Sequence, residues 1–134
     1  MGKYLLGIDN GSTVSKAALF DFHGKEIAVA SCKADTEYPH SGWTERSMEM
    51  LWQSTASAIR DALAKSGTKP EDIAGIGNTG HGNGVYLLDK QGQPLRNGIQ
   101  SMDSRAAEIV AHWNRDNLHA KVFPYTIQSF WPAQ

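Results

Sequence analysis

Leu5-Leu6-Gly7-Ile8-Asp9-Asn10-Gly11-Ser12-Thr13, continuing as Val14-Ser15-Lys16-Ala17-Ala18-Leu19-Phe20-Asp21, is the stretch on which the fold turns. An apolar run ends on an acid, turns through Asn10-Gly11, passes two hydroxyls and re-enters an apolar run. This pattern predicts two antiparallel strands joined by a tight turn, because Asn-Gly between apolar segments is a strong hairpin signal. Both runs look buried on both faces, so Asp9 is expected to emerge from a dry strand. A carboxylate is costly there unless it is paired or hydrogen-bonded. Ser12, Thr13 and the turn amides are donors, and Gly11 lets an anion approach the backbone closely. An acid for a hydrated Mg²⁺, with these donors and Lys16 beside it, suits the phosphates of a nucleotide. An ordinary Asn-Gly hairpin explains the turn but not the acid, the two hydroxyls and the lysine that follow.

The rest of the chain bounds this reading. It has 134 residues, enough for one domain with a real core, and 40% of them are hydrophobic, which argues for a folded globule. Net charge is −1 with acids and bases interspersed. That composition excludes a dedicated nucleic-acid surface, which needs clustered Lys and Arg. The single Cys32 lies in an apolar run and reads as a small core residue. The N-terminal apolar run stops at Asp9, too short for a signal peptide or a span. No membrane partner and a cytoplasmic, reducing compartment are therefore expected.

Residues 3–9, 14–21 and 25–33 read as a three-stranded meander, with Asp21-Phe22-His23-Gly24-Lys25 as the second turn. A helix is expected from an N-cap at Ser47 to Gly67, with Met48, Leu51, Trp52, Thr55, Ile59 and Leu63 on its buried side. Short strands follow at Ile73 to Ile76, Val85 to Asp89 and Ile99 to Met102. A second helix is expected from Ser104 to about Asn114, capped by Asp103, with Ala107, Val110 and Trp113 buried. His23, His40, His112 and His119 have no metal-ligand spacing and read as surface residues. Gly75-Ile76-Gly77-Asn78-Thr79-Gly80 satisfies the dinucleotide fingerprint literally. Its context does not, since another strand rather than a helix is expected after it.

The hairpin resembles the phosphate-binding hairpin of the superfamily of sugar kinases, actin and heat-shock chaperones. Gly42-Trp43-Thr44-Glu45-Arg46-Ser47 with Leu51-Trp52, then Tyr86-Leu87-Leu88-Asp89, Pro94-Leu95-Arg96 and Ser101-Met102-Asp103-Ser104-Arg105, narrow the resemblance. In this order they are similar to segments of the FGGY carbohydrate kinases, closest to the xylulose-kinase branch. The fold implied is α/β: a ribonuclease-H-like, actin-like ATPase domain with a mixed sheet. The order β-β-β-α-β is how that unit begins, and residues 1–134 read as the N-terminal part of its first domain, incomplete at the C-terminal end.

The resemblance implies ATP and Mg²⁺ as cofactors and a ketopentose or related polyol as substrate; a homodimer is compatible with it. Asp9 would orient Mg²⁺, directly or through one water, while Gly11, Ser12, Thr13 and Lys16 hold the phosphates. On the sugar side it points to His81, Gly82, Asn83, Asp103 and Arg105. The family carries a histidine in the loop before the Tyr86-Leu87-Leu88-Asp89 strand. Counting forward from Ile76 places His81 there, whereas counting back from the strand places Asn83. Trp and Asn usually precede the family's acid, but here Ser101 and Met102 precede Asp103. The family's general base, an Asp, lies beyond residue 134, so the 134-residue chain alone is expected to be inactive. Two rivals are a ribonuclease-H-like resolvase and a non-catalytic actin-like nucleotide-binding module. A two-metal nuclease needs a second carboxylate at the end of the fourth strand, where this chain has Gly77-Asn78-Thr79-Gly80.

Overall fold

The computed structural model describes residues 3–133. The described residues form six strands: β1 Tyr4–Asn10, β2 Val14–Asp21, β3 Glu26–Lys33, β4 Glu45–Arg46, β5 Ile73–Gly80 and β6 Gly98–Ile99. The helices are α1 Met48–Ser66, α2 Ala107–Arg115 and α3 Leu118–Thr126. They fall into two compact units, one formed by Met1–Asp35 with Met48–His81 and the other by Thr36–Ser47 with Gly82–Gln134.

The first unit is a mixed sheet in the order β3-β2-β1-β5. β1, β2 and β3 form the expected antiparallel meander, and β5 lies parallel to β1. The second turn forms where the sequence places it: Asp21 Oδ1 accepts the backbone N–H groups of His23 and Lys25 at 2.8 and 3.0 Å. The bond from Lys25, helped by that from His23, holds this carboxyl below the usual aspartate range. α1 spans the expected residues and ends at Gly67, whose φ of +66° suits a glycine.

One face of the sheet is covered by α1. Leu6, Ala17, Leu19 and Ala30 pack there against Ala58 and Ala62, and Ser54, Ala58 and Ala62 are the buried residues of the helix. Small residues at i, i+4 and i+8 let the helix lie close to the strands. Ile59 packs at the margin of this core, but Trp52 is 68% exposed. The expected buried stripe was therefore misplaced at Trp52, because the large residues flank the contact line and the small ones occupy it. The opposite face is not covered among the described residues: Leu5, Ile27 and Val29 are exposed there. The expectation of strands buried on both faces fails for this reason, and with it the dry surroundings of Asp9, which is exposed.

In the second unit β4 pairs antiparallel with β6, and single bridges join Val85 to Ile99 and Leu88 to Pro94. The expected strand at Val85 to Asp89 is reduced to these bridges, and the expected strand at Ile99 to Met102 ends at Ile99. α2 starts three residues later than expected, after Ala106 rather than Asp103. Asp103 instead accepts the backbone N–H of Arg105 in the turn before the helix. No residue of α2 is buried. Trp113, expected in the core, is 40% exposed, its ring centroid 5.0 Å from that of Phe130.

Candidate functional site

At the mouth of the hairpin Asp9 stands opposite Lys16, and Asn10 opposite Ser15. The turn itself is wider than a two-residue Asn-Gly turn. Gly11 N donates to Val14 O at 3.0 Å, so Asn10 remains in β1 and residues 11–14 make the turn. Gly11 does not adopt a left-handed conformation; a Cβ there would stand 3.1 Å from Val14 O, so close approach is what glycine permits. Ala34 N donates to Thr13 O at 2.9 Å and anchors the far side of the turn.

Asp9 and Lys16 line one cavity of about 460 Å³ on the uncovered face of the sheet, over a floor that includes Gly7, Ala18 and Gly77. A carboxylate and an ammonium at the rim of a space floored by small residues leave room for a chain of phosphates. Thr79 of β5 stands beside Asp9 in the parallel register. No cluster of three His, Cys, Asp or Glu side chains suited to a metal occurs among the described residues. Asp9 is the one exposed carboxylate among the residues lining this cavity, the kind of single ligand that Mg²⁺ takes beside its waters and substrate phosphates.

His81 closes the first unit after β5. Its backbone N–H donates to Asn10 O at 3.1 Å, and its ring Nδ1 lies 3.1 Å from the same oxygen. A carbonyl oxygen only accepts, so Nδ1 carries the proton. Gly82 and Asn83 belong to the second unit. Asn83 has a φ of 60°, and its Oδ1 accepts from Gln128 Nε2 at 3.2 Å. Within the first unit the structure thus joins His81 to the hairpin through Asn10, while Asn83 is tied to the C-terminal segment.

The second unit buries a charged cluster. Asp103 is 2% exposed, and four donors surround its carboxylate. Oδ1 accepts from Arg105 N at 2.9 Å and Arg105 Nε at 2.8 Å; Oδ2 accepts from Thr44 N at 2.7 Å and Arg105 Nη2 at 2.8 Å. Burial alone would raise the carboxyl, but the bonds from Arg105 and Thr44 outweigh it and hold it below the usual range. Both oxygens are engaged by these bonds, and Asp103 holds Arg105 and the Thr44 backbone in place. The Arg105 guanidinium also donates to Glu45 Oε1 at 2.8 Å and lies 3.8 Å from the ring centroid of Trp43. Asp103 and Glu45 together keep its charge fixed and raise its pKa. Glu45 takes a second arginine, Arg96.

Residues 4–134 match the model of the N-terminal domain of the FGGY family of carbohydrate kinases. The chain belongs to this family. It is 43% identical over 131 residues to L-xylulose/3-keto-L-gulonate kinase of Escherichia coli, covering 98% of this chain and 26% of that protein. A probable L-xylulose kinase of Pasteurella multocida is 39% identical over 128 residues, covering 96% of this chain and 26% of that protein. The chain thus spans about a quarter of the length of the curated relatives it matches. Among solved structures, a xyloylose kinase from Brucella ovis superposes with a TM-score of 0.86 at 27% identity, covering 97% of this chain and 27% of that one. Glycerol kinase of Plasmodium falciparum, at 18% identity and a TM-score of 0.84, covers 97% of this chain and 26% of that one and shares the fold. The actin-like fold expected from the hairpin is therefore the one this FGGY chain adopts.

Sequence reasoning passed over two features of this FGGY domain. Arg46 is fully buried. The Gln100 amide is turned toward it, its oxygen accepting from Nε and Nη2 at 3.0 and 3.1 Å while its nitrogen donates to Thr36. Burial lowers the pKa of Arg46, opposed by the nearby Tyr86, and burial raises that of the Tyr86 phenol. No local pattern marks Arg46, because its partners lie far along the chain. The second feature is the seam of Asn10, Ser15, Ser54 and Thr55 under the hairpin. Its signal was two adjacent hydroxyls on a helical stripe that otherwise meets the sheet with alanine.

Proposed function

We propose that the full-length protein transfers the γ-phosphoryl group of ATP to a ketopentose, with L-xylulose the first candidate. One observation carries this reading: Asp9 and Lys16 face one another across the hairpin mouth and share a glycine-floored cavity. Membership of the FGGY family supports phosphoryl transfer to a carbohydrate. Relatives at 38–43% identity that are named as L-xylulose kinases support the choice of sugar. This chain supplies the phosphate hairpin and part of the sugar side of a longer enzyme.

The amides and hydroxyls of Gly11, Ser12 and Thr13, with Lys16, hold the β- and γ-phosphates. Asp9 would hold Mg²⁺, directly or through one of its waters, and the ion when bound would supply charge neutralisation on the phosphates. Catalysis of this kind is largely positioning and charge neutralisation. The loop at His81, Gly82 and Asn83 meets the sugar. Arg105, held by Asp103 and Glu45, shapes the sugar side; two carboxylates already balance its charge, which suits a neutral polyol better than an anion. We place the enzyme in a reducing, cytoplasmic compartment, on its use of a single cysteine. No helix among the described residues is long and apolar enough to cross a membrane.

The test is ADP release by the full-length protein with Mg·ATP and a panel of L-xylulose, D-xylulose, glycerol and gluconate. Preferential turnover of a ketopentose is expected. Nucleotide binding without turnover of any polyol would overturn the proposal.

A further inference from the structure

A polar seam runs under the root of the phosphate hairpin. Where the rest of α1 meets the sheet through Ala58 and Ala62, its N-terminal half presents Ser54 and Thr55. Ser15 of β2 is fully buried and Ser54 is 5% exposed, with their hydroxyl oxygens 3.1 Å apart. Ser54 Oγ lies 3.0 Å from Leu51 O. Thr55 Oγ1 lies 2.8 Å from two acceptors, Leu51 O and Asn10 Oδ1.

One assignment of protons satisfies all three hydroxyls. Ser54 donates to Leu51 O, Ser15 donates to Ser54, and Thr55 donates to Asn10 Oδ1. A threonine serving only its helix would need no partner beyond Leu51 O. The bond to Asn10 reaches the residue that immediately precedes Gly11-Ser12-Thr13. The main-chain carbonyl of the same residue holds both nitrogen donors of His81. Asn10 is thus the point at which the turn and the chain after β5 are both registered, and Thr55 fixes its side chain. Buried polar groups cost more than alanine would unless each is bonded, so the seam secures register rather than adding to the core.

We infer that Thr55 is a positioning residue for the phosphate hairpin, acting through Asn10 to hold the turn amides in the arrangement that receives phosphate. The inference rests on the kinase reading of the hairpin. It predicts a coupling between two residues that a purely structural role would not produce.

The experiment is a double-mutant cycle in the full-length protein. It combines Thr55→Val and Asn10→Ala and reads the dissociation constant of a Mg²⁺-bound, non-hydrolysable ATP analogue by calorimetry. Each single variant is expected to weaken binding by about tenfold and the double variant by no more than either, because the two residues share one bond. Thr55→Ser, which keeps the hydroxyl, should bind within about twofold of the parent. If Thr55→Val melts early, Thr55→Ala takes its place in the cycle. Full affinity in the Thr55 variant, or losses that multiply in the double variant, overturns the inference. A parent that shows the coupling but phosphorylates no polyol removes the kinase reading and leaves Thr55 its role. A parent that binds no nucleotide removes both.

Discussion

The two units bury different chemistry. The first packs leucine, alanine and two serines between a sheet and one helix and leaves its notable acid, Asp9, in solvent. The second buries Asp103, Glu45 and Arg46 and pairs the two acids with Arg105 and Arg96. An exposed carboxylate at the end of a well-packed strand contributes little to folding and is available to a ligand. A buried carboxylate with four donors has its bonding capacity filled and contributes order instead. Similar residue types thus leave an open carboxylate in one region and build a scaffold in the other.

The sharpest way to break this contrast is Asp103→Ala. It strands the Arg105 guanidinium beside Glu45, and losing one member of a buried pair costs about 3–5 kcal/mol. Urea unfolding of the full-length protein, followed by amide exchange at residues 43–46, should show the loss. A change below about 0.5 kcal/mol, the usual size for a surface residue, would mean that the cluster holds nothing. Asp103→Ser should remain almost as unstable, since serine restores neither the charge nor the second oxygen.

Asp9→Asn is the complementary variant. It should leave unfolding within about 0.5 kcal/mol of the parent, as exposed positions do, and lower kcat by about a hundredfold, as the loss of one electrostatic group does. Near-normal turnover at saturating Mg·ATP would remove Asp9 from the mechanism.

Acid should separate the units as well. The folded pKa of Asp103 is depressed, so its contribution is complete above the unfolded aspartate value, about 4, and is lost as pH falls through the folded value. Amide exchange at residues 43–46 should therefore quicken below about pH 4, and this pH dependence should vanish in Asp103→Asn. Equal acid sensitivity in parent and variant would assign it to other groups. The smallest effect is expected at Gly67→Ala, where a φ of +66° makes alanine cost about 1 kcal/mol, read as an earlier urea midpoint. An unchanged midpoint would mean that the end of α1 relaxes freely.

How much of this was legible in the sequence follows the same division. The meander, the boundaries of α1 and the rejection of the glycine fingerprint were legible because strand alternation, caps and turn residues act over a few positions. No helix opens at Gly75 to Gly80, which lie within β5; that strand runs four residues past Ile76, where it was expected to end, and the strand expected after it is reduced to bridges. Trp52 and Trp113 were misread because helical periodicity weights large apolar side chains, whereas α1 meets its sheet through alanine and serine. Asp103 was misread as the cap of α2 because three of its four donors come from Arg105 and the fourth is the distant Thr44. From the sequence, a cap with one oxygen to spare looked just as consistent. Arg46 was missed because Gln100 and Tyr86 lie on segments that only the fold brings to it. Asp9, Gly11, Ser12, Thr13 and Lys16 could be singled out together because one hairpin carries them all.

The hairpin is, on this proposal, the seat of the nucleotide phosphates. The direct measurement is a crystal structure of the full-length protein with Mg²⁺, a non-hydrolysable ATP analogue and L-xylulose. Phosphate oxygens are expected within hydrogen-bonding distance of the Gly11, Ser12 and Thr13 amides, with Asp9 bound to Mg²⁺ or to one of its waters. Phosphates seated elsewhere, with the Asp9–Lys16 cavity holding solvent alone, would contradict it.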